Sequence, residues 1–140
     1  MKAKKNLTPS QLIKVLIVED DSEISEAIEF EVSNFFNVEF EIVKAFDGVE
    51  GMLHSSLDKF DVIITDFNMP GLNGLELLKE VRATDCINNK TPVMLLSAMR
   101  PDLKGSLNMF EEVYFMDKPW TAKKFEFILN CCLKEHKNVA

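Results

Sequence analysis

The sequence predicts an α/β domain: a five-stranded parallel sheet wound on both faces by helices. Three observations carry this. Segments that read as strands alternate five times with segments that read as helices. Three of the strand segments, Lys14-Val15-Leu16-Ile17-Val18, Val62-Ile63-Ile64-Thr65 and Pro92-Val93-Met94-Leu95-Leu96, carry no helical stripe and little or no polar interruption. Strands buried on both faces of a parallel sheet read that way. The connections are too long for hairpins, which demands parallel, right-handed crossovers. A further strand segment, 38–43, alternates instead, with Phe40 and Ile42 on one side and Glu39 and Glu41 on the other. That is the pattern of a half-exposed edge. Central places for the apolar strands and an edge for the alternating one give the order 2-1-3-4-5 of flavodoxin-like doubly wound sheets.

Taken along the chain, residues 1–13 read as a loose or partly helical extension, and the domain proper as 14–137. After the first strand, Asp21 or Ser22 can cap a helix whose stripe is Ile24, Ala27, Ile28, Val32 and Phe35. Asp47-Gly48 opens a short helix with Val49, Met52 and Leu53 as its apolar positions. The third strand ends at Asp66, turns through Met69-Pro70-Gly71 and enters a helix near Asn73 bearing Leu75, Leu77, Leu78 and Val81. The fourth strand ends at Ser97. The fifth, Val113-Tyr114-Phe115-Met116, ends in Asp117-Lys118-Pro119, with Trp120 packing at the start of a last helix striped by Phe125, Ile128, Leu129, Cys132 and Leu133. Between them, Pro101 and Gly105 interrupt residues 98–112, because proline removes a donor and glycine adds backbone entropy. The fourth helix is therefore expected to be short or irregular.

Composition narrows the function. The chain has 140 residues, enough for one core. No apolar run approaches the ~20 residues of a membrane span, and the lysine-rich start lacks the apolar core of a signal peptide. Three cysteines, two of them adjacent, offer no disulfide framework or zinc spacing, which suits free thiols in a reducing, cytoplasmic setting. His54 and His136 stand alone and read as surface or packing residues. A net charge of −7 lacks the basic surface that direct nucleic-acid binding needs. The charge is also uneven. Residues 19–31 hold seven acids and no base; a solvated helix face accounts for most of them, but not for Glu19 and Asp20 at a strand end.

In open parallel sheets, ligands bind at the carboxyl ends of the strands. Four such ends converge: Glu19-Asp20, Asp66, Ser97 and Lys118. Three clustered carboxylates repel, and one would protonate unless a cation joined them. A single lysine is insufficient, so a hard, oxygen-seeking ion such as Mg²⁺ is the expected completion. A carboxylate nucleophile beside Mg²⁺, a hydroxyl and an ammonium is equipped for phosphoryl transfer, with Asp66 attacking phosphorus.

The segments VLIVEDD, DVIITDFNMPGLNGLELL, Ser97-Ala98 and DKPW, in this order over about residues 14–133, together resemble the receiver domain of two-component response regulators, the CheY-like superfamily. The resemblance implies that Asp66 is the phosphoacceptor for a histidine kinase or histidine phosphotransfer protein. Asp20 would bind Mg²⁺ directly, Glu19 mainly through water, and Asn68 through its backbone carbonyl. Ser97 would be the switch hydroxyl, Phe115 the switch aromatic, and Lys118 the phosphoryl-sensing lysine, joined to Pro119 by a cis bond. Phosphorylation would switch the surface of the fourth helix, fifth strand and final helix, and output would pass to a separate protein. Met99 cannot orient water by hydrogen bonding, which implies slow self-dephosphorylation. Such a protein is not a turnover enzyme; it assists only its own phosphorylation and dephosphorylation. Two alternatives differ in class. A haloacid-dehalogenase-type phosphohydrolase wants a second aspartate where Asn68 stands, and a degenerate receiver serving only as a binding scaffold would not keep all five site groups.

Overall fold

The computed structural model describes residues 12–35, 38–98 and 110–134. The described elements run β1 (Leu12–Val18), α1 (Ser22–Ser33), β2 (Glu39–Ala45), α2 (Gly48–Leu57), β3 (Val62–Asp66), α3 (Gly74–Val81), β4 (Val93–Ser97), β5 (Val113–Asp117) and α4 (Ala122–Cys132). The sheet has the order β2-β1-β3-β4-β5, and all four strand pairs are parallel. This is the flavodoxin-like arrangement expected from the sequence. The irregular fourth helix and Met99 lie outside the described residues, as do His136 and residues 1–11.

Strands β3 and β4 are buried at every position, as their apolar runs require. The two sheet faces build separate cores. On one, α1 and α4 pack Ile28, Val32, Phe125 and Leu129 against Val15, Ile17, Ile64 and Leu96. On the other, α3 packs Leu77, Leu78 and Val81 against Leu16, Val18, Ile63 and Leu95. In β5, the paired alternation sends Met116 to the first face and Phe115 to the second.

Local chemistry sets the helix starts. Asp21 caps α1, its Oδ1 accepting from the Glu23 and Ile24 amides at 2.9 and 3.2 Å. Asn73 and Glu76 form a reciprocal capping box at α3, and Thr121 caps α4. Each satisfies amides that a helix leaves without an internal partner.

Three details depart from the sequence reading. Strand β1 begins at Leu12, because Leu12 and Ile13 pair with Glu39 and Phe40 and Ile13 is buried. In α1, Ser25 is buried along with Ile28 and Val32, while Ala27 is exposed. The largest departure is α2, which buries Gly48, Gly51 and Ser55 and leaves Val49 and Leu53 59% and 55% exposed; Met52 alone of the expected stripe packs against the core. The cause is distance. A β-carbon on Gly51 would lie 2.9 Å from both methyls of Val18, so the helix sits closer to the sheet than an aliphatic stripe allows. Beneath it, buried Asn88 donates to the carbonyls of Ser55 and Asp58 and accepts from the Phe60 amide, tying α2 to the entry of β3. Gly51→Val is accordingly expected to cost about 1–3 kcal/mol through overpacking, whereas Leu53→Ala stays within about 0.5 kcal/mol. Urea unfolding measures both, and the opposite order would mean that α2 buries its aliphatic face.

Candidate functional site

Because every strand runs the same way, all five carboxyl ends emerge at one rim. Strand β1 delivers Glu19 and Asp20, β3 delivers Asp66, β4 delivers Ser97, and Lys118 directly follows β5. The backbone locks these ends together: the Glu19 amide donates to Ala45 O at 3.0 Å, Phe67 to Leu96 O at 2.7 Å, and Lys118 to Ser97 O at 2.8 Å.

The carboxylates of Glu19, Asp20 and Asp66 each place an oxygen within 4.8 Å of the others. Glu19 and Asp66 are buried and Asp20 is exposed. The Lys118 ammonium lies 3.0 Å from Asp66 Oδ1 and 3.3 Å from Glu19 Oε1. Ser97, buried at the end of β4, sits opposite Asp117 in the register. The Lys118–Pro119 bond is cis, as the sequence resemblance implied. Asn68 is exposed in the loop after β3, and Phe115 is half-buried.

The electrostatics follow from crowding. Burial raises the Glu19 carboxyl most, then the charge of Asp66. The Asp21 amide and Lys118 pull it back, and the balance leaves it at about 7 against an ordinary 4.5. Lys118 shows the converse. Burial lowers its ammonium, but its hydrogen bond to Asp66 and the charges of Asp66 and Glu19 outweigh burial and hold it above the ordinary lysine value. Three carboxylates sharing one ammonium form an oxygen-donor set with surplus negative charge, which fits a hard divalent cation.

Two supports of the site were not evident from sequence. Gly74 opens α3 against the strand end that carries Asp66: its amide donates to Phe67 O at 2.8 Å, and a β-carbon there would lie 2.8 Å from Asp66 O. The motif glycine supplied a signal, but its contact did not. Glu31, on α1, accepts a hydrogen bond from the Trp120 indole at 3.0 Å, and nothing local in the sequence marks it.

Residues 15–129 match the family model for the response regulator receiver domain. The chain belongs to that family. The receiver is 29% identical over 128 residues to the hybrid signal transduction histidine kinase G of Dictyostelium discoideum, covering 90% of this chain and 4% of that protein. It is 29% identical over 124 residues to the transcriptional regulatory protein CiaR of Streptococcus pneumoniae, covering 88% of this chain and 52% of that protein. The chain thus spans about half of one of these curated relatives and a small part of the other. Its fold matches the receiver domain of a sensor histidine kinase from Pseudomonas aeruginosa PAO1, crystallised with a magnesium ion in its active-site cleft, at a TM-score of 0.74 and 21% identity, over 87% of this chain and 98% of that one. Receiver domains are phosphoacceptor signalling modules, and the Glu19, Asp20 and Asp66 cluster is consistent with a magnesium site. No helix among the described residues is long and apolar enough to cross a membrane.

The raised Glu19 makes a pH prediction for this receiver. Between pH 4.5 and about 7 the folded, metal-free protein keeps a proton on Glu19 that the unfolded chain has released. Stability attributable to this group is full below that window and falls as pH rises through it. The loss is expected to reach about 3 kcal/mol at most. Urea unfolding with a chelator at the two ends of the window measures it. Glu19→Gln is expected to flatten the difference, and an undiminished slope in that variant would exclude Glu19 as the group.

Proposed function

We propose that Asp66 accepts a phosphoryl group from the phosphohistidine of a histidine kinase or phosphotransfer protein. The observation that carries this is the contact of Lys118 Nζ with both Asp66 Oδ1 and Glu19 Oε1. In the transfer an Asp66 carboxylate oxygen bonds to phosphorus as the P–N bond to the donor imidazole breaks, leaving an acyl phosphate on Asp66. Lys118 neutralises negative charge on the equatorial oxygens, already held where that charge develops, so little reorganisation is needed during reaction. Ser97 donates its hydroxyl to another phosphoryl oxygen.

Asp20, Glu19, Asp66 and the backbone carbonyl of Asn68 are the groups assigned to Mg²⁺, which would supply charge neutralisation and orientation of the incoming phosphoryl group. Movement of Ser97 toward the phosphoryl group opens space for Phe115, which packs at the margin of one core. The affected surface is that of β5 and the last helix, together with the fourth helix, which lies outside the described residues. A separate protein then reads that surface, with no direct contact to nucleic acid. The receiver assists only its own phosphorylation and hydrolysis and turns over no other substrate. The domain runs to about residue 137 and takes in Leu12 and Ile13 from the end of the 1–13 extension, since both pair in β1. Three free cysteines support a reducing, cytoplasmic setting.

Incubation with Mg²⁺ and acetyl phosphate is expected to add one phosphate, seen by intact mass, that is stable in acid and labile in base. The adduct is absent from Asp66→Asn, and Lys118→Ala forms it roughly 100-fold more slowly. Rapid release of phosphate from phosphate esters would indicate a phosphohydrolase instead. No adduct together with no Mg²⁺ binding would indicate a scaffold.

A further inference from the structure

We propose that Trp120 and Glu31 form a tether that positions Lys118, so that the far end of α1 helps set the geometry of the phosphoacceptor site. The proposal rests on the phosphoacceptor reading above and deepens it. Lys118 has to hold its ammonium against two carboxylates from different strands. On its β4 side it is pinned, its amide bonded to Ser97 O at 2.8 Å. On the other side the chain passes through Pro119, which has no amide hydrogen to donate and is exposed. The next fixed point is Trp120.

Trp120 is held in two ways. Its ring packs on buried Phe125 with centroids 5.6 Å apart, and its indole N–H donates to Glu31 Oε2 at 3.0 Å, across 89 residues of sequence. Ring packing would be served by any large aromatic side chain. The hydrogen bond adds direction, since an indole donates along a single axis and a charged acceptor strengthens the bond. It ties the loop carrying Lys118 to α1, the helix that begins directly after Glu19 and Asp20. The same carboxylate lines a cleft of about 220 Å³ between α1 and α4, with Asn34, Phe35, Lys123 and Glu126. Neither residue touches the reacting atoms; both act through Lys118 and are positioning residues. Because small misplacements of a catalytic group are costly in rate, loosening the tether is expected to slow phosphoryl uptake without disturbing the carboxylates.

The test uses Trp120→Phe, which keeps the ring and removes the donor, Glu31→Ala, which removes the acceptor, and Glu31→Gln, which restores an acceptor oxygen. Each is combined with wild-type Lys118 and with Lys118→Ala. Acetyl phosphate drives the reaction, intact mass gives the rate, and calorimetry gives Mg²⁺ affinity. Trp120→Phe and Glu31→Ala are expected to slow phosphorylation roughly 3- to 10-fold with Mg²⁺ affinity unchanged. Glu31→Gln should recover most of the rate. In the Lys118→Ala background, neither Trp120→Phe nor Glu31→Ala should slow the reaction further. Full persistence of their effects in that background, a parallel fall in Mg²⁺ affinity, or no effect beside wild-type Lys118 would overturn the tether while leaving the phosphoacceptor reading in place. A wild-type rate for Lys118→Ala alone would overturn both.

Discussion

A lysine ammonium wedged between two buried carboxylates governs the rest of the molecule. Glu19 and Asp66 are 1% and 5% exposed, and carboxylates so placed lose most of their hydration. Lys118 answers part of that cost through contacts at 3.3 and 3.0 Å. One positive charge among three carboxylates cannot answer all of it, and the proton held on Glu19 up to about pH 7 expresses the remainder. The same deficit makes the cluster consistent with a bound divalent cation, and it leaves a charged donor directly beside the Asp66 carboxylate.

Maintaining that arrangement explains why so much of the chain is rigid core. The three groups come from strands β1 and β3 and from the residue after β5, so their separations depend on the sheet register. The register in turn depends on two aliphatic layers that seal β3 and β4 completely. Backbone bonds at the rim then lock neighbouring ends: Phe67 to Leu96 and Lys118 to Ser97. Where α3 leaves the site, Gly74 lets the helix start in contact with the backbone of Asp66. Stability and chemistry are therefore not separate here, since a slipped strand would misplace a charge.

How much of this was legible depended on whether the signal was local. Uninterrupted apolar runs at 62–65 and 92–96 identified buried strands, and alternation at 38–43 identified the edge. Asp66, Ser97 and Lys118 could be grouped because each ends a strand, and parallel strands end on the same rim. The face that α2 buries is not legible, for the opposite reason: Val49 and Leu53 are apolar and helically spaced, yet Gly51 meets the sheet. Helical periodicity reports which residues share a face. It does not report how near the helix lies to its neighbour. Asn88 and Glu31 carry no local signal for their structural roles, because the bonds to Phe60, Ser55 and Asp58 and to Trp120 each span 28 or more residues.

By itself, then, the amino-acid order determined the kinds of element, their sequence along the sheet and the set of groups gathered at its rim, because these follow from hydropathy period and strand direction. Tertiary structure alone decided which helix faces are covered, how closely α2 and α3 approach the strands, and that the Trp120 indole meets Glu31. Those outcomes depend on side-chain volumes and distances across the packed interior, quantities that exist only once remote segments touch.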